Sequence, residues 1–180
     1  MTTSSEKAFV VIMGVAGCGK SSLGSRCAQA LGIPLLEGDD FHSAQSVEKM
    51  RSGVPLSDAD RHAWLEMLAR ELQKRQSVGC VLTCSALRQR YRDHLRQTVP
   101  GLRFVFLALT PAQARERVAA RPSHLFPVSL VASQFEALED PSREPGVLRL
   151  DATASLESLE ADVVRWVSAG EPAGPLEVSP

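Results

Sequence analysis

The stretch AFVVIMGVAGCGKSSLG, residues 8–24, decides the fold. Its apolar, β-branched first part predicts a buried strand, and the part from Lys20 onwards predicts a helix. Between them, GVAGCGKS (14–21) matches the pattern G-x-x-x-x-G-K-[ST] at every position. A strand, a glycine-rich turn and a helix in this order form a P-loop, whose backbone N–H groups face a phosphate. The stretch therefore predicts a nucleotide-binding α/β protein.

This loop supplies its own candidate ATP ligands. Its glycines let the backbone curl around a phosphate, and the N-terminus of the following helix adds partial positive charge. Lys20 is predicted to reach the β- and γ-phosphates and to act in catalysis, while the Ser21 hydroxyl is predicted to bind Mg²⁺. The predicted ATP-binding residues of the loop are Gly14, Val15, Ala16, Gly17, Cys18, Gly19, Lys20, Ser21 and Ser22.

Strands and helices alternate along the rest of the chain. Further strands are predicted at 34–37, 78–84, 103–109 and 146–152, and further helices at 57–76, 87–99, 111–121, 128–139 and 155–169. This alternation predicts a doubly wound, five-stranded parallel sheet with helices on both faces. We expect a single kinase domain over residues 8–169, a flexible N-terminus at 1–7 and a disordered, Pro- and Gly-rich tail at 170–180.

Composition narrows the functional class. The 180 residues carry a net charge of −1, which gives no reason to expect nucleic acid or a membrane surface as a partner. No apolar run approaches the ~18 residues of a membrane span, and the N-terminus does not resemble a signal peptide. The four cysteines lack C-x-x-C spacing, which favours reduced thiols over a zinc site or disulfides. These features predict a cytoplasmic protein.

The identity of the catalytic acid separates the P-loop classes. The chain contains no Asn and no D-x-x-G element, which argues against a GTPase switch. The third and fourth predicted strands end without an acidic residue, unlike those of motor-type ATPases, so Asp39 and Asp40 after the second strand become the candidates. This arrangement suits a small-molecule kinase, in which a carboxylate orients the acceptor hydroxyl or takes its proton. Because neighbouring side chains diverge, we predict that Asp39 is catalytic and that Asp40 caps or solvates the turn.

Several motifs together resemble one family. They are GVAGCGKS, EGDDFH, EKM, SGVPLSDADRHAWL, CSALRQRYRDHLR and RVAARPSHLFPVSLVASQFEALEDP, in this order between about residues 9 and 165. In these motifs the chain resembles the gluconate kinases of the P-loop, shikimate-kinase-like type. The resemblance implies ATP- and Mg²⁺-dependent phosphorylation of D-gluconate to 6-phospho-D-gluconate, often by a homodimer. It also places the family's Asp on Asp39 and its His on His42.

The acceptor that the resemblance implies is an anionic polyol, and the chain offers cations for it. Arg88 and Arg92 share a face of the predicted helix 87–99 with Tyr91 nearby, and we predict that they bind the substrate carboxylate; a solvated basic face is the alternative. Asp39 is predicted to contact the acceptor hydroxyl and, through water, Mg²⁺. The full set of predicted substrate-binding residues is Asp39, His42, Lys49, Asp60, Arg61, Arg88, Tyr91 and Arg92.

A last candidate element follows the fourth strand. Arg117 and Arg121 lie one helical turn apart beside the irregular segment PSHLFP (122–127). The resemblance makes about 118–135 a small mobile lid over ATP, with both arginines binding ATP and Arg121 stabilising the charge that develops during transfer. Ser43, Ser46 and Pro122–Ser123 depart from the family pattern and leave the acceptor preference open. The alternatives are a kinase for another hydroxy acid such as shikimate, or a non-catalytic ATP-binding regulator.

Overall fold

A computed structural model describes residues 7–121 and 126–170. Its sheet contains β1 (Phe9–Met13), β2 (Leu35–Glu37), β3 (Cys80–Thr83), β4 (Arg103–Ala108) and β5 (Val147–Asp151). All pairs are parallel, in the order β2-β3-β1-β4-β5. This confirms the predicted α/β class and the five-stranded parallel sheet. The predictions for residues 1–6, 122–125 and 171–180 lie outside the described residues.

Seven α-helices connect and follow the strands in the described part of the chain. They are α1 (Lys20–Leu31), α2 (Ala44–Arg51), α3 (Asp58–Gln73), α4 (Gln89–Thr98), α5 (Pro111–Ala119), α6 (Val131–Ala137) and α7 (Leu156–Ser168). Short 3₁₀ turns occupy Gly38–Phe41 and Val128–Leu130, the latter where an α-helix was predicted to begin. Within residues 7–121 and 126–170, none of the helices has the length and apolar character needed to cross a membrane.

Local signals explain where the helices begin and end. Ser57 and Asp60 cap α3 reciprocally, as their spacing predicts, because each side chain accepts from the other residue's backbone N–H. Gly32 ends α1 in the left-handed conformation, with φ 65°. Helix α2 is not among the predicted helices; Ser43 begins it by accepting a hydrogen bond from the backbone of Ser46. Two positions that depart from the family pattern therefore form a helix cap.

The sheet has an apolar core on each face, as alternation along β1 shows. Val10 and Ile12 pack with α1 and α7, whereas Val11 and Met13 pack with α3 and α4. A smaller cluster lies beyond the carboxyl edge, where Val15 and Ala16 of the loop pack with residues of α5 and α6. The helices thereby hold the loops at the carboxyl edge, where ligands bind in such sheets.

Candidate active site

An open cleft lies at the carboxyl edge of the sheet, bordered by the loops after β1, β2 and β3. Helices α1 and α3 form its walls, and Arg121 together with residues of 126–134 borders it on the remaining side. The described residues that line it are Ala16, Gly17, Gly19, Lys20, Ser21, Ser22, Asp39, His42, Met50, Pro55, Leu56, Arg61, Trp64, Ser85, Arg121, Phe126, Leu130, Ser133 and Gln134.

The P-loop forms one end of this cleft. Gly17 and Gly19 adopt φ values of 81° and 96°, which L side chains rarely adopt, so the loop can turn its amides inward. The Lys20 ammonium group curls back over the loop and donates to the carbonyls of Gly14 at 3.0 Å and Val15 at 3.1 Å. Lys20 is half-buried and lines the cleft, so its charge is available to a phosphate bound there.

A carboxylate at the end of β2 joins the loop to the sheet. Ser21 Oγ donates to Glu37 Oε2 at 3.0 Å, and Thr83 Oγ1 donates to the same oxygen at 2.6 Å. Gly38 fits here because a Cβ at this position would lie 2.1 Å from the Thr83 carbonyl oxygen. The Ser21 hydroxyl therefore lies beside an oxygen-rich group, the donor type that Mg²⁺ prefers.

The two aspartates of the acidic turn after β2 differ in their positions relative to the cleft. Asp39 lines the cleft with its side chain 60% exposed, whereas the exposed Asp40 is not among the lining residues. The His42 ring is stacked on Trp64, with centroids 4.3 Å apart, and its Nε2 lies 3.7 Å from Asp39 Oδ1. Trp64 Nε1 donates to the Gly38 carbonyl at 2.7 Å, so this indole fixes the turn as well as packing in the core.

The predicted substrate-binding residues divide into two groups. Asp39, His42 and Arg61 line the cleft, whereas the others lie behind its wall or to one side. Lys49 Nζ donates to both carboxylate oxygens of Asp60, at 3.0 and 2.8 Å, and ties α2 to the start of α3. This bond, with the bonds from Ser57, lowers the pKa of Asp60 to about 2. Lys49 and Asp60 thus bind each other and fix the wall.

Tyr91 and Arg88 also lie outside the set of cleft-lining residues. The buried Tyr91 hydroxyl donates to Asp58 Oδ1 at 2.6 Å, and Arg90 pairs with the same oxygen. The Tyr91 bond, followed by the Arg90 bond, lowers the pKa of Asp58 to about 2. Arg88 precedes α4, and its buried Nε has no hydrogen-bond partner among the described residues.

The surroundings of Arg92 contradict the prediction that it binds the substrate carboxylate. Its guanidinium is fully buried and pairs with Glu144, and it also donates to the carbonyls of Ala86 at 2.7 Å and Glu139 at 3.1 Å. Burial raises the pKa of Glu144, but the hydrogen bonds from Arg92 and Arg96 outweigh it and leave that pKa lowered. With its donors occupied inside the protein, Arg92 holds the loop after β3 and is not available to the substrate carboxylate.

That loop is strained where Arg92 holds it. Ala86 has φ 45°, a left-handed conformation that is uncommon for a residue with a Cβ, and the next residue upstream, Ser85, lines the cleft. Such strain persists only where the surroundings enforce it. The buried ion pair therefore determines how Ser85 is presented to the cleft.

The two predicted arginines of the lid have different surroundings. Arg121 lines the cleft and is exposed. Arg117 Nη2 donates a hydrogen bond to the Ala152 carbonyl at 2.8 Å, and Arg117 Nη1 donates a longer one to the Gly17 carbonyl at 3.4 Å. Arg117 therefore connects α5 to the P-loop and to the loop after β5.

Comparison with known proteins adds the family to this geometry. A family model described as an AAA domain matches residues 9–145. The thermoresistant gluconokinase of Escherichia coli K12 is 37% identical over 174 residues, covering 94% of this chain and 99% of the relative. The chain belongs to the gluconokinase family. The gluconokinase of Gluconobacter oxydans 621H is 36% identical, with coverage of 89% and 92%, and a gluconokinase structure from Sinorhizobium meliloti 1021 is 38% identical, with a TM-score of 0.81 and coverage of 91% and 95%.

Two polar residues that bind the P-loop segment, residues 14–22, in this gluconokinase-family chain are not among the residues predicted from the sequence. Glu37 contacts the Ser21 hydroxyl, and Gln134 of α6 accepts a hydrogen bond from the Ala16 amide at 2.6 Å. Glu37 carried a usable signal, because it ends a parallel strand and precedes Asp39 by two residues. Gln134 carried none, since its position in the cleft depends on how α6 folds back onto the P-loop.

Proposed function

We propose that this cleft transfers the γ-phosphoryl group of ATP to the terminal hydroxyl of D-gluconate, forming 6-phospho-D-gluconate and ADP. The observation that carries the proposal is the convergence of Lys20, Asp39 and Arg61 on one cleft in a chain that is collinear with gluconokinases over nearly its full length. The ammonium group and the guanidinium are cations suited to the triphosphate and to the acceptor carboxylate. The chain is an ATP-dependent carbohydrate kinase by this family membership.

On the phosphate side, the P-loop and Lys20 would hold the β- and γ-phosphates. Ser21 would hold Mg²⁺, with Glu37 and Asp39 facing it through water; the oxygen-rich surroundings of the Ser21 hydroxyl fit this ion. When bound, Mg²⁺ supplies charge neutralisation at the β- and γ-phosphate oxygens. Exposed Arg121 would approach the γ-phosphoryl group from the opposite side and stabilise the charge that develops there.

On the acceptor side, Asp39 would orient the terminal hydroxyl and accept its proton. The hydroxyl oxygen then forms a bond to the γ-phosphorus while the bond between that phosphorus and the ADP oxygen breaks. Arg61 would bind the carboxylate at the other end of the substrate, and His42, stacked on Trp64, would contact intermediate hydroxyls. In this proposal Lys49, Asp60, Arg88, Tyr91 and Arg92 shape the wall from behind.

The remaining features belong to the same proposal. Residues 8–169 would form one kinase domain, in which about 118–135 closes as a lid over ATP and excludes water. We also expect a homodimer that uses Mg²⁺ in the cytoplasm, without nucleic acid or a membrane as a partner.

A panel of acceptors in a coupled ADP assay tests the function. With ATP and Mg²⁺, D-gluconate should stimulate ADP release far more than shikimate or other sugar acids, and the product should carry its phosphate on the terminal hydroxyl. Comparable turnover on shikimate with none on gluconate would overturn the proposal. Tight ATP binding without stimulation by any acceptor would instead support a non-catalytic regulator.

A further inference from the structure

The Gln134 side chain connects α6 to one particular peptide unit of the P-loop. Its Oε1 accepts a hydrogen bond from the Ala16 amide at 2.6 Å, across a sequence separation of 118 residues. Gln134 is half-buried and also lines the cleft. Among the described residues, no other polar side chain of α6 makes a hydrogen bond to the P-loop; Ser133, for example, donates to the Leu130 carbonyl.

The other end of the same peptide unit binds Lys20. The Val15 carbonyl, which shares a rigid, planar peptide bond with the Ala16 amide, accepts a hydrogen bond from Lys20 Nζ at 3.1 Å. Gln134 and Lys20 therefore hold opposite ends of one plane. A rotation of this plane would move the Val15 carbonyl and with it the ammonium group that faces the phosphates.

Packing alone does not fix that rotation. Val15 and Ala16 belong to one buried apolar cluster with Val131 and Ala137 of α6, and apolar packing holds the helix near the loop but is non-directional. A hydrogen bond, by contrast, weakens steeply when its angle departs from linearity. Within the loop, the Cys18 amide donates to the Val15 carbonyl at 3.3 Å. The shorter bond from the Ala16 amide to Gln134 Oε1 is thus the directional restraint that α6 places on the Val15–Ala16 peptide.

We propose that Gln134 is a positioning residue for phosphoryl transfer, which orients the Val15–Ala16 peptide and, through it, the Lys20 ammonium group. The inference rests on the proposed function in that Lys20 serves the transferred phosphoryl group. It assigns to α6 a role in arranging the P-loop in addition to covering the cleft. Because Gln134 acts through Lys20, its removal should affect turnover more than nucleotide binding.

Two substitutions of Gln134 separate the effect of its hydrogen-bond-accepting oxygen from the effect of the rest of the side chain. Gln134→Met keeps the length and removes the strong acceptor, so kcat should fall about tenfold, the effect of one hydrogen bond, while the Kd for ADP changes by less than about threefold. Gln134→Glu keeps an acceptor for Ala16, so kcat at saturating ATP should stay within about threefold of the unchanged protein. Repulsion between the new carboxylate and the triphosphate would then raise only the KM for ATP.

The matched control is Glu136→Met, an exposed position on the same helix, which should leave kcat, KM and Tm unchanged. A second readout is the Ala16 amide proton resonance in ¹⁵N-labelled protein, which should move upfield in Gln134→Met and should not move upfield in Gln134→Glu, because a carboxylate accepts at least as strong a hydrogen bond. The Ala16 resonance and the affinity for ADP are both measured without gluconate. If the protein without substitutions proved inactive on gluconate, the proposed function would be contradicted, but these two measurements would still test the role of Gln134. Equal losses of kcat in the two Gln134 variants, or an unchanged Ala16 resonance in Gln134→Met, would overturn the inference.

Discussion

The phosphate side and the acceptor side of the cleft are built in different ways. The phosphate side is one continuous segment, residues 14–22, whose backbone and two side chains provide most of its chemistry. The acceptor side takes Asp39, His42, Arg61 and Trp64 from a turn and a helix that are separate in sequence. A local motif thus determines one half of the site, whereas the packing of α2, α3 and α4 determines the other.

The two sides also differ in how their charges are used. On the phosphate side, Lys20 binds only loop carbonyls and the Cys18 sulfur among the described residues, so its charge remains directed at the cleft. On the acceptor side, most charged residues are already paired with each other behind the wall. This comparison separates residues that bind ligand from residues that hold the wall, and substitutions can test each assignment.

The largest effect should come from breaking the buried pair behind the acceptor side. Arg92→Met leaves Glu144 without its main partner in a buried site, and losing one member of a buried ion pair costs about 3–5 kcal/mol. We expect a loss of this size in the free energy of unfolding, measured by urea denaturation. In protein that remains folded, the KM for gluconate should rise by less than about tenfold, since Arg92 makes no binding contact and acts on the cleft only through the position of Ser85.

Arg90→Met is the matched control for this prediction. It lies on the same helix and is also ion-paired, but its side chain is 57% exposed, so its loss should change stability far less. If Arg92→Met instead left stability intact and greatly raised the KM for gluconate, Arg92 would be a substrate ligand and the division of the acceptor side would be wrong.

The next largest effect should come from the acidic turn. Asp39→Asn keeps the shape of the cleft but removes the base, so kcat should fall about 10²-fold or more while ADP still binds. Asp40→Asn should change kcat by less than about twofold, because Asp40 does not line the cleft. A coupled ADP assay and calorimetric ADP titrations measure both quantities. If Asp40→Asn lowered kcat more than Asp39→Asn, the catalytic role would belong to Asp40 and not to Asp39.

The difference between the two sides also explains what could be predicted from sequence. The assignments of Lys20 and Ser21 follow from a contiguous pattern and stay predictions. The sheet follows from the alternation of strands and helices, and its predicted architecture is confirmed. Arg92 could not be assigned from its helical spacing, because spacing gives the face of a helix but not what that face packs against. Here the face packs against Glu144, which is 52 residues away in the sequence.

A smaller effect, on the KM for gluconate, tests a residue of the acceptor side that lines the cleft. Arg61→Gln removes the cation of α3 that lines the cleft, and we expect the KM for gluconate to rise about tenfold, as for one charge-assisted hydrogen bond. The KM for ATP and kcat should change little. Arg70→Gln, at an exposed position of the same helix, should leave all three constants unchanged; an equal rise in KM for it would point to a general electrostatic effect.

The smallest effect concerns acid stability and the wall pair of Lys49 and Asp60. The hydrogen bond from Lys49, with those from Ser57, lowers the pKa of Asp60 to about 2 in the folded protein, whereas an Asp in an unfolded chain has a pKa of about 3.9. The folded state therefore holds this proton less readily, so the pair stabilises the protein fully above about pH 4 and loses its contribution as the pH falls towards about 2. The Tm difference between the unchanged protein and Asp60→Asn should shrink over this range, and Lys49→Met should show the same trend because it removes the first cause of the shift. A difference that is constant with pH would mean that the folded protein does not lower the pKa of Asp60, and that the wall of the acceptor side does not depend on this ion pair.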